Sequence, residues 1–185
     1  MNIHLGFDPG LTGAMAALHT DGAFLGVWDL PVLYVENSQG DVRRQYDEPA
    51  IRALVLQHAP AGFDVHHTGL MAWIERQQPM PGFGKACPRC RQKRSQGAVS
   101  TFATGDGYGL LRGVLVGLGV PYERVHPRTW KARMGLSSDK GQSLQKARAL
   151  FPGADLGRKK DAGRAEALLI AEYGRRLSLG QESML

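Results

Sequence analysis

The chain has 185 residues, 43% of them hydrophobic and 22% charged, and a formal net charge of +6 with a pI near 9.6. A chain of this size can bury a core without covalent staples, so one domain over residues 1–185 is expected. No apolar run is long enough to span a bilayer and the start lacks the pattern of a secretory leader, which argues for a cytoplasmic protein with no membrane partner. The basic balance suits a polyanionic partner.

Residues 2–8, 13–19 and 23–30 read as three successive strands, joined by turns at Pro9-Gly10 and Asp21-Gly22. Short links of this kind favour antiparallel hairpins. Residues 31–46 read as polar and irregular, and 47–59 as a helix with acids and a proline in its first turn. A fourth strand covers 70–76. The segment 77–96 is rich in Pro, Gly and basic residues, and its length marks it as a functional loop. Residues 98–118 read as a helix despite Gly105, Gly107, Gly109, Gly113 and Gly117, because small faces suit close helix packing. A fifth strand at 120–126 precedes helices at 138–150 and 161–177, the first of them stopped by Phe151-Pro152-Gly153. The expected fold is α/β: a mixed five-stranded sheet, three antiparallel strands then two parallel, flanked by helices.

Acids stand at chosen places in this pattern. Asp8 ends an apolar strand before a Pro-Gly turn, where small residues allow close approach. Glu75 ends the apolar run Leu70-Met71-Ala72-Trp73-Ile74. Asp161 and Glu166 open the last helix, ahead of the apolar body Ala167-Leu168-Leu169-Ile170. Carboxylates arriving from two strand ends and a helix start can converge on divalent cations, hard ions that prefer oxygen ligands.

The ordered set resembles the RuvC-type Holliday-junction resolvases of the RNase H-like nuclease superfamily, especially the versions found in phages and prophages. The resemblance is carried by Gly6-Phe7-Asp8-Pro9-Gly10, Ile74-Glu75-Arg76, Gly107-Tyr108-Gly109-Leu110-Leu111-Arg112-Gly113, Val125-His126-Pro127-Arg128-Thr129-Trp130-Lys131, and Lys159-Lys160-Asp161 leading into Arg164-Ala165-Glu166. It implies an endonuclease that hydrolyses phosphodiesters in branched DNA with two Mg²⁺ or Mn²⁺ ions per site. Asp8 would bridge the ions, Glu75 would hold one, and Asp161 and Glu166 the other. The family places an acid or a histidine three residues before its final aspartate. Here that slot is Gly163, and Asp161 lies five residues before Glu166, too far around a regular helix to share its face. Asp161 and Glu166 therefore remain alternatives for the principal ligand, Glu166 matching the family's final slot.

The same resemblance places a junction-contacting loop after Glu75. There Lys85, Arg89, Arg91, Lys93 and Arg94 supply phosphate contacts without an acid among them, and Phe83 supplies an apolar wedge for base steps. Arg158, Lys159 and Lys160 would neutralise phosphate near the ions, with His126 and Lys131 as further contacts. A resolvase cuts two strands symmetrically, so a homodimer is expected. Its interface would use the small face of 98–118 with Leu110, Leu111 and Val114, unless those three pack the protomer's own core.

Cys87-Pro88-Arg89-Cys90 is half of a tetrahedral zinc site. His66-His67 or a second protomer's pair would complete it; without them the two are reduced thiols. Two other readings compete. An actin or sugar-kinase-like phosphotransferase also opens on a strand, an Asp and a glycine turn, but needs a second such domain. A branched-DNA-binding module on a decayed nuclease fold would not need its acids intact.

Overall fold

The computed structural model describes residues 3–60, 69–78 and 97–180. Strands β1 (Ile3–Asp8), β2 (Ala14–His19) and β3 (Phe24–Asp29) form the antiparallel meander that their short turns require. β4 (Val32–Glu36) and β5 (Val42–Tyr46) pair as a separate hairpin. Helix α1 (Glu48–Leu56) starts on Asp47, whose Oδ1 accepts the Ala50 N–H at 3.0 Å. Then come β6 (Leu70–Glu75), α2 (Ala98–Gly117), β7 (Tyr122–Val125), α3 (Pro127–Arg133), α4 (Lys140–Leu150) and α5 (Ala162–Ser178), with a 3-10 turn at Lys159–Asp161 before the last. The five-stranded sheet runs β3-β2-β1-β6-β7, and β6 lies parallel to both β1 and β7. The sheet order and the helices on both faces match the expected fold.

Alternation along the strands sorts the core into two layers. Leu5, Phe7, Met15, Ala17, Ala72 and Ile74 face α1 and α2, with Ile51, Val55, Leu111 and Leu115. Ala14, Ala16, Leu18 and Trp73 face α5, with Ala167, Leu168 and Ala171. Asp8 and Glu75 continue the second set, each two residues beyond a position on that face. α5 is therefore buried almost all round, and what it presents at its start is presented to the ends of β1 and β6.

Two readings change. The stretch 31–46 is not irregular but holds the β4–β5 hairpin. Its turn is built by Asn37, whose Oδ1 accepts the Gln39 and Asp41 N–H groups at 2.9 Å each, with Gly40 at φ 83°. The hairpin is exposed along most of its length, so no apolar-polar alternation betrays it. Helix α3 was absent from the expectation. It is seven residues long, begins at Pro127, and is capped by His126 Nδ1, which accepts the Arg128 N–H at 3.2 Å.

Candidate active site

β1 and β6 are parallel neighbours with Phe7 opposite Ile74. The next residue on each strand is an acid, so Asp8 and Glu75 end adjacent strands on the face covered by α5. Such a crevice beyond the carboxyl ends of strands is where open α/β sheets bind ligands. Glu166 comes down from the first turns of α5 and is buried. Burial, followed by the charges of Glu75 and Glu166, holds the Asp8 carboxyl well above the usual carboxylate range. Burial also raises Glu75, opposed by its hydrogen bond from Trp130 and reinforced by Glu166.

Gly163 fixes how closely Asp8 meets α5. A Cβ at that position would lie 2.8 Å from the Thr12 carbonyl oxygen and 3.3 Å from Asp8 Oδ2. Positions 163 and 166 thus share the helix face turned to Asp8, and only the second carries a side chain.

α3 supplies the orienting groups. Trp130 is fully buried and donates its indole N–H to Glu75 Oε2 at 2.8 Å. Lys131 donates to Glu166 Oε1 at 2.6 Å, and the hydroxyl of buried Ser143 donates to the same oxygen at 3.3 Å. Lys131 also lies over the Trp130 ring, 5.2 Å from its centroid. Lys140, the first residue of α4, acts with Lys131 to favour the charged forms of Asp8 and Glu75. Trp130, Ser143 and Lys140 were not singled out as site residues from the sequence. The detectable signal was the α3 start itself: proline at the first helical position, then Trp130 and Met134 one turn apart, both buried.

Asp161 is placed differently. Arg158 grips it, with Nε 3.0 Å and Nη2 2.8 Å from Oδ1, and the Arg158 backbone N–H reaches Oδ2 at 2.7 Å. Arg158 holds the Asp161 carboxyl below its ordinary range. Asp161 is not among the principal charges acting on Asp8 or Glu75. Asp161 closes the 3-10 turn in the grip of Arg158, while the charges of Glu75 and Glu166 act on Asp8 and that of Glu166 on Glu75. Arg158 is correspondingly engaged, while Lys159 and Lys160 are exposed beside it. His126 serves as a helix cap. Phe83, Lys85, Cys87, Arg89, Cys90, Arg91, Lys93 and Arg94, with His66 and His67, lie outside the described residues.

The donor set is oxygen only, as Mg²⁺ or Mn²⁺ prefers. Glu75 Oε1, Glu166 Oε2 and both Asp8 oxygens accept no hydrogen bond among the described residues. Among the described residues no group of three or more His, Cys, Asp and Glu is arranged to hold a metal ion by itself. That is compatible with Mg²⁺, which usually takes one or two carboxylates and completes its shell with water and phosphate.

The chain is 34% identical over 161 residues to the chloroplast Holliday junction resolvase MOC1 of Chlamydomonas reinhardtii, a match covering 80% of this chain and 17% of that protein's length. No protein-family model matches it. Among solved structures it superposes on Thermus thermophilus RuvC with a TM-score of 0.54 and 18% identity, covering 96% of each chain. It superposes equally on T. thermophilus RuvC in complex with a Holliday junction substrate, at a TM-score of 0.53, 16% identity and 97% of each chain. The fold is that of RuvC, of the RNase H-like class.

Proposed function

We propose that this protein is a metal-dependent endonuclease that nicks branched DNA and resolves Holliday junctions. The observation that carries this is the convergence of Asp8, Glu75 and Glu166 from two strand ends and a helix start. Resemblance to a Holliday junction resolvase in sequence and to RuvC in fold supports it.

Bound Mg²⁺ or Mn²⁺, two ions per site, would supply the activated water and the stabilised leaving oxygen. The protein's part is to hold the ions and exclude alternatives. Asp8, Glu75 and Glu166 present free oxygens to them. Trp130 fixes the rotamer of Glu75, and Lys131 with Ser143 fixes that of Glu166, as outer partners fix ligands in metal sites. Lys140 keeps the local charge from becoming prohibitive before a cation binds. Lys159 and Lys160 flank the start of α5 and would meet phosphate; the basic stretch from Lys85 to Arg94 and the Phe83 wedge extend the same proposal along the substrate.

The active unit in this proposal is a homodimer in the cytoplasm. Helix α2 offers the surface. Its exposed side carries Val99, Phe102 and Val116, 80%, 75% and 65% exposed, interleaved with Gly105, Gly109 and Gly113. Of the two places open to Leu110, Leu111 and Val114, the protomer's own core takes all three: Leu111 is buried in it, with Leu110 and Val114 packed against it. Exposed apolar side chains and glycines along one helix give a surface that a second helix can approach closely.

Incubation of the purified protein with a labelled four-way junction and a linear duplex of matching sequence tests the reading. Nicks in the junction that require Mg²⁺ or Mn²⁺ are expected; equal cutting of the duplex, or none of either, overturns it.

A further inference from the structure

Three arginines meet on the α2 side of the sheet, just past Glu75. Ile74 lies in the core layer under α2, and Arg76 follows two residues on, its backbone N–H still paired with the Val125 carbonyl at 2.8 Å. Tyr122 packs against the same layer, and Arg124 follows it two residues on along β7, opposite Ile74. Alternation therefore sends Arg76 and Arg124 to the same side of neighbouring strands. Helix α2 brings the third. Arg112 donates from Nε to the Tyr122 hydroxyl at 3.1 Å and lays its guanidinium 5.4 Å over the Tyr108 ring. The charges of Arg112, Arg124 and Arg76 all act on Tyr108. Arg76 and Arg124 are exposed, and Arg112 is half-buried.

Among the described residues no carboxylate offsets these charges, since none of their ion pairs includes any of the three. Glu123 alternates with Tyr122 and Arg124 and so belongs to the other side of β7. Residues 79–96, which follow Arg76 closely in the chain, contain no acid and add five more bases. Arginine keeps its proton at any working pH, so titration does not relieve the repulsion within the cluster. An anion does. The Nη groups of Arg112 have no partner among the described residues, and a planar fork held at Nε and backed by a ring suits phosphate oxygens.

We infer that Arg76, Arg112 and Arg124 bind backbone phosphates of the DNA strand that passes the carboxylate centre beyond Glu75. The inference rests on the nuclease reading above and adds an anchor on the α2 side of the sheet, apart from Lys159 and Lys160 at the start of α5. Contacts of this kind fix the register and direction of the substrate and carry no base sequence. Guanidiniums carried on β6, α2 and β7 would set that direction relative to Glu75.

Binding without metal separates this from cleavage. Affinity for a four-way junction is measured in chelator over a series of KCl concentrations for wild type, Arg76→Gln, Arg124→Gln and, as a control on α1, Arg52→Gln. Each of the first two should reduce the slope of log affinity against log salt by about 0.9, the share of one phosphate contact. Both should melt no lower than wild type, because one of three repelling charges is gone. Arg52→Gln should keep the wild-type slope. A neutral methylphosphonate is then stepped through the positions bordering the crossover. At one position or more it should weaken binding by wild type and leave the Arg76→Gln/Arg124→Gln double variant unaffected. Wild-type slopes in the two variants, a drop shared by Arg52→Gln, or equal methylphosphonate penalties in wild type and double variant overturn the site. So does a loss of junction binding that follows a loss of dimer by light scattering, which would give the cluster to the acids of a second copy. Phosphate coupling seen in chelator, with no nicking once Mg²⁺ is added, would leave the cluster's role standing and remove the nuclease reading instead.

Discussion

Lys131 Nζ stands 2.6 Å from Glu166 Oε1, and both side chains are largely buried. The ammonium compensates a carboxylate that water reaches poorly. Removing one member of such a pair leaves an uncompensated buried charge. Lys131→Met should therefore lower the stability of the metal-free protein by about 3 kcal/mol. Added Mg²⁺ should recover more of this loss than it adds to wild type, because a cation at Glu166 restores the missing charge. Thermal melts with and without Mg²⁺ check this; a variant that melts like wild type in chelator contradicts it.

Trp130 is a positioning residue, acting on the chemistry only through Glu75. Trp130→Phe keeps an aromatic ring in the core and removes the indole donor. Loss of such outer partners costs about 10–100-fold in metal affinity or activity. The expected result is that loss in cleavage rate, partly rescued by raising the Mg²⁺ concentration, with the secondary structure retained. A loss that no metal concentration relieves would point to repacking rather than ligand orientation.

The carboxyl of Asp8 is raised by burial and by Glu75 and Glu166, and Glu75 is raised in the same sense. A carboxyl raised in the folded state contributes stability at acid pH that is lost as pH climbs through its folded value. The metal-free protein should thus weaken from acid toward neutral pH on account of these two groups. Asp8→Asn removes the larger part. It should melt above wild type at about pH 8 in chelator, and the gap should close toward about pH 4, where an ordinary carboxylate begins to protonate. Mg²⁺ should stabilise wild type and not the variant. A wild type indifferent to Mg²⁺ across this range would contradict the assignment.

The sheet, its mixed strand order and the positions of Asp8 and Glu75 were legible because apolar runs ending in acids declare strand ends directly. Glu166 was legible from the apolar helix body behind it. Asp161 was not separable from it, and what distinguishes its surroundings is the grip of Arg158, formed across the 3-10 turn. Lys140 was hidden for a similar reason: its charge acts on Asp8 and Glu75 through tertiary placement and not through any local spacing. The β4–β5 hairpin escaped because both of its faces meet solvent, so burial imposes no alternation on its residues.

A Cβ at position 113 meets nothing within 4 Å among the described residues, which leave room for an arginine there. Gly113→Arg also replaces a helix-interior glycine by a better helix former, worth about 0.5–1 kcal/mol. The variant should fold at least as well as wild type and run as a monomer by light scattering at micromolar concentration. A dimer left intact by this change would move the interface off this face of α2.

The central claim is that Asp8, Glu75 and Glu166 form the cation-holding centre and Asp161 does not belong to it. Single-turnover cleavage of a four-way junction in Mg²⁺, compared for Asp8→Asn, Glu75→Gln, Glu166→Gln and Asp161→Asn with junction affinity measured alongside, tests it most directly. The first three should bind the junction as wild type does and fail to cut it, while Asp161→Asn should cut, with its loss seen mainly in melting temperature. An Asp161→Asn protein that is folded, binds and is inactive, beside a Glu166→Gln protein that cuts at the wild-type rate, would contradict the account.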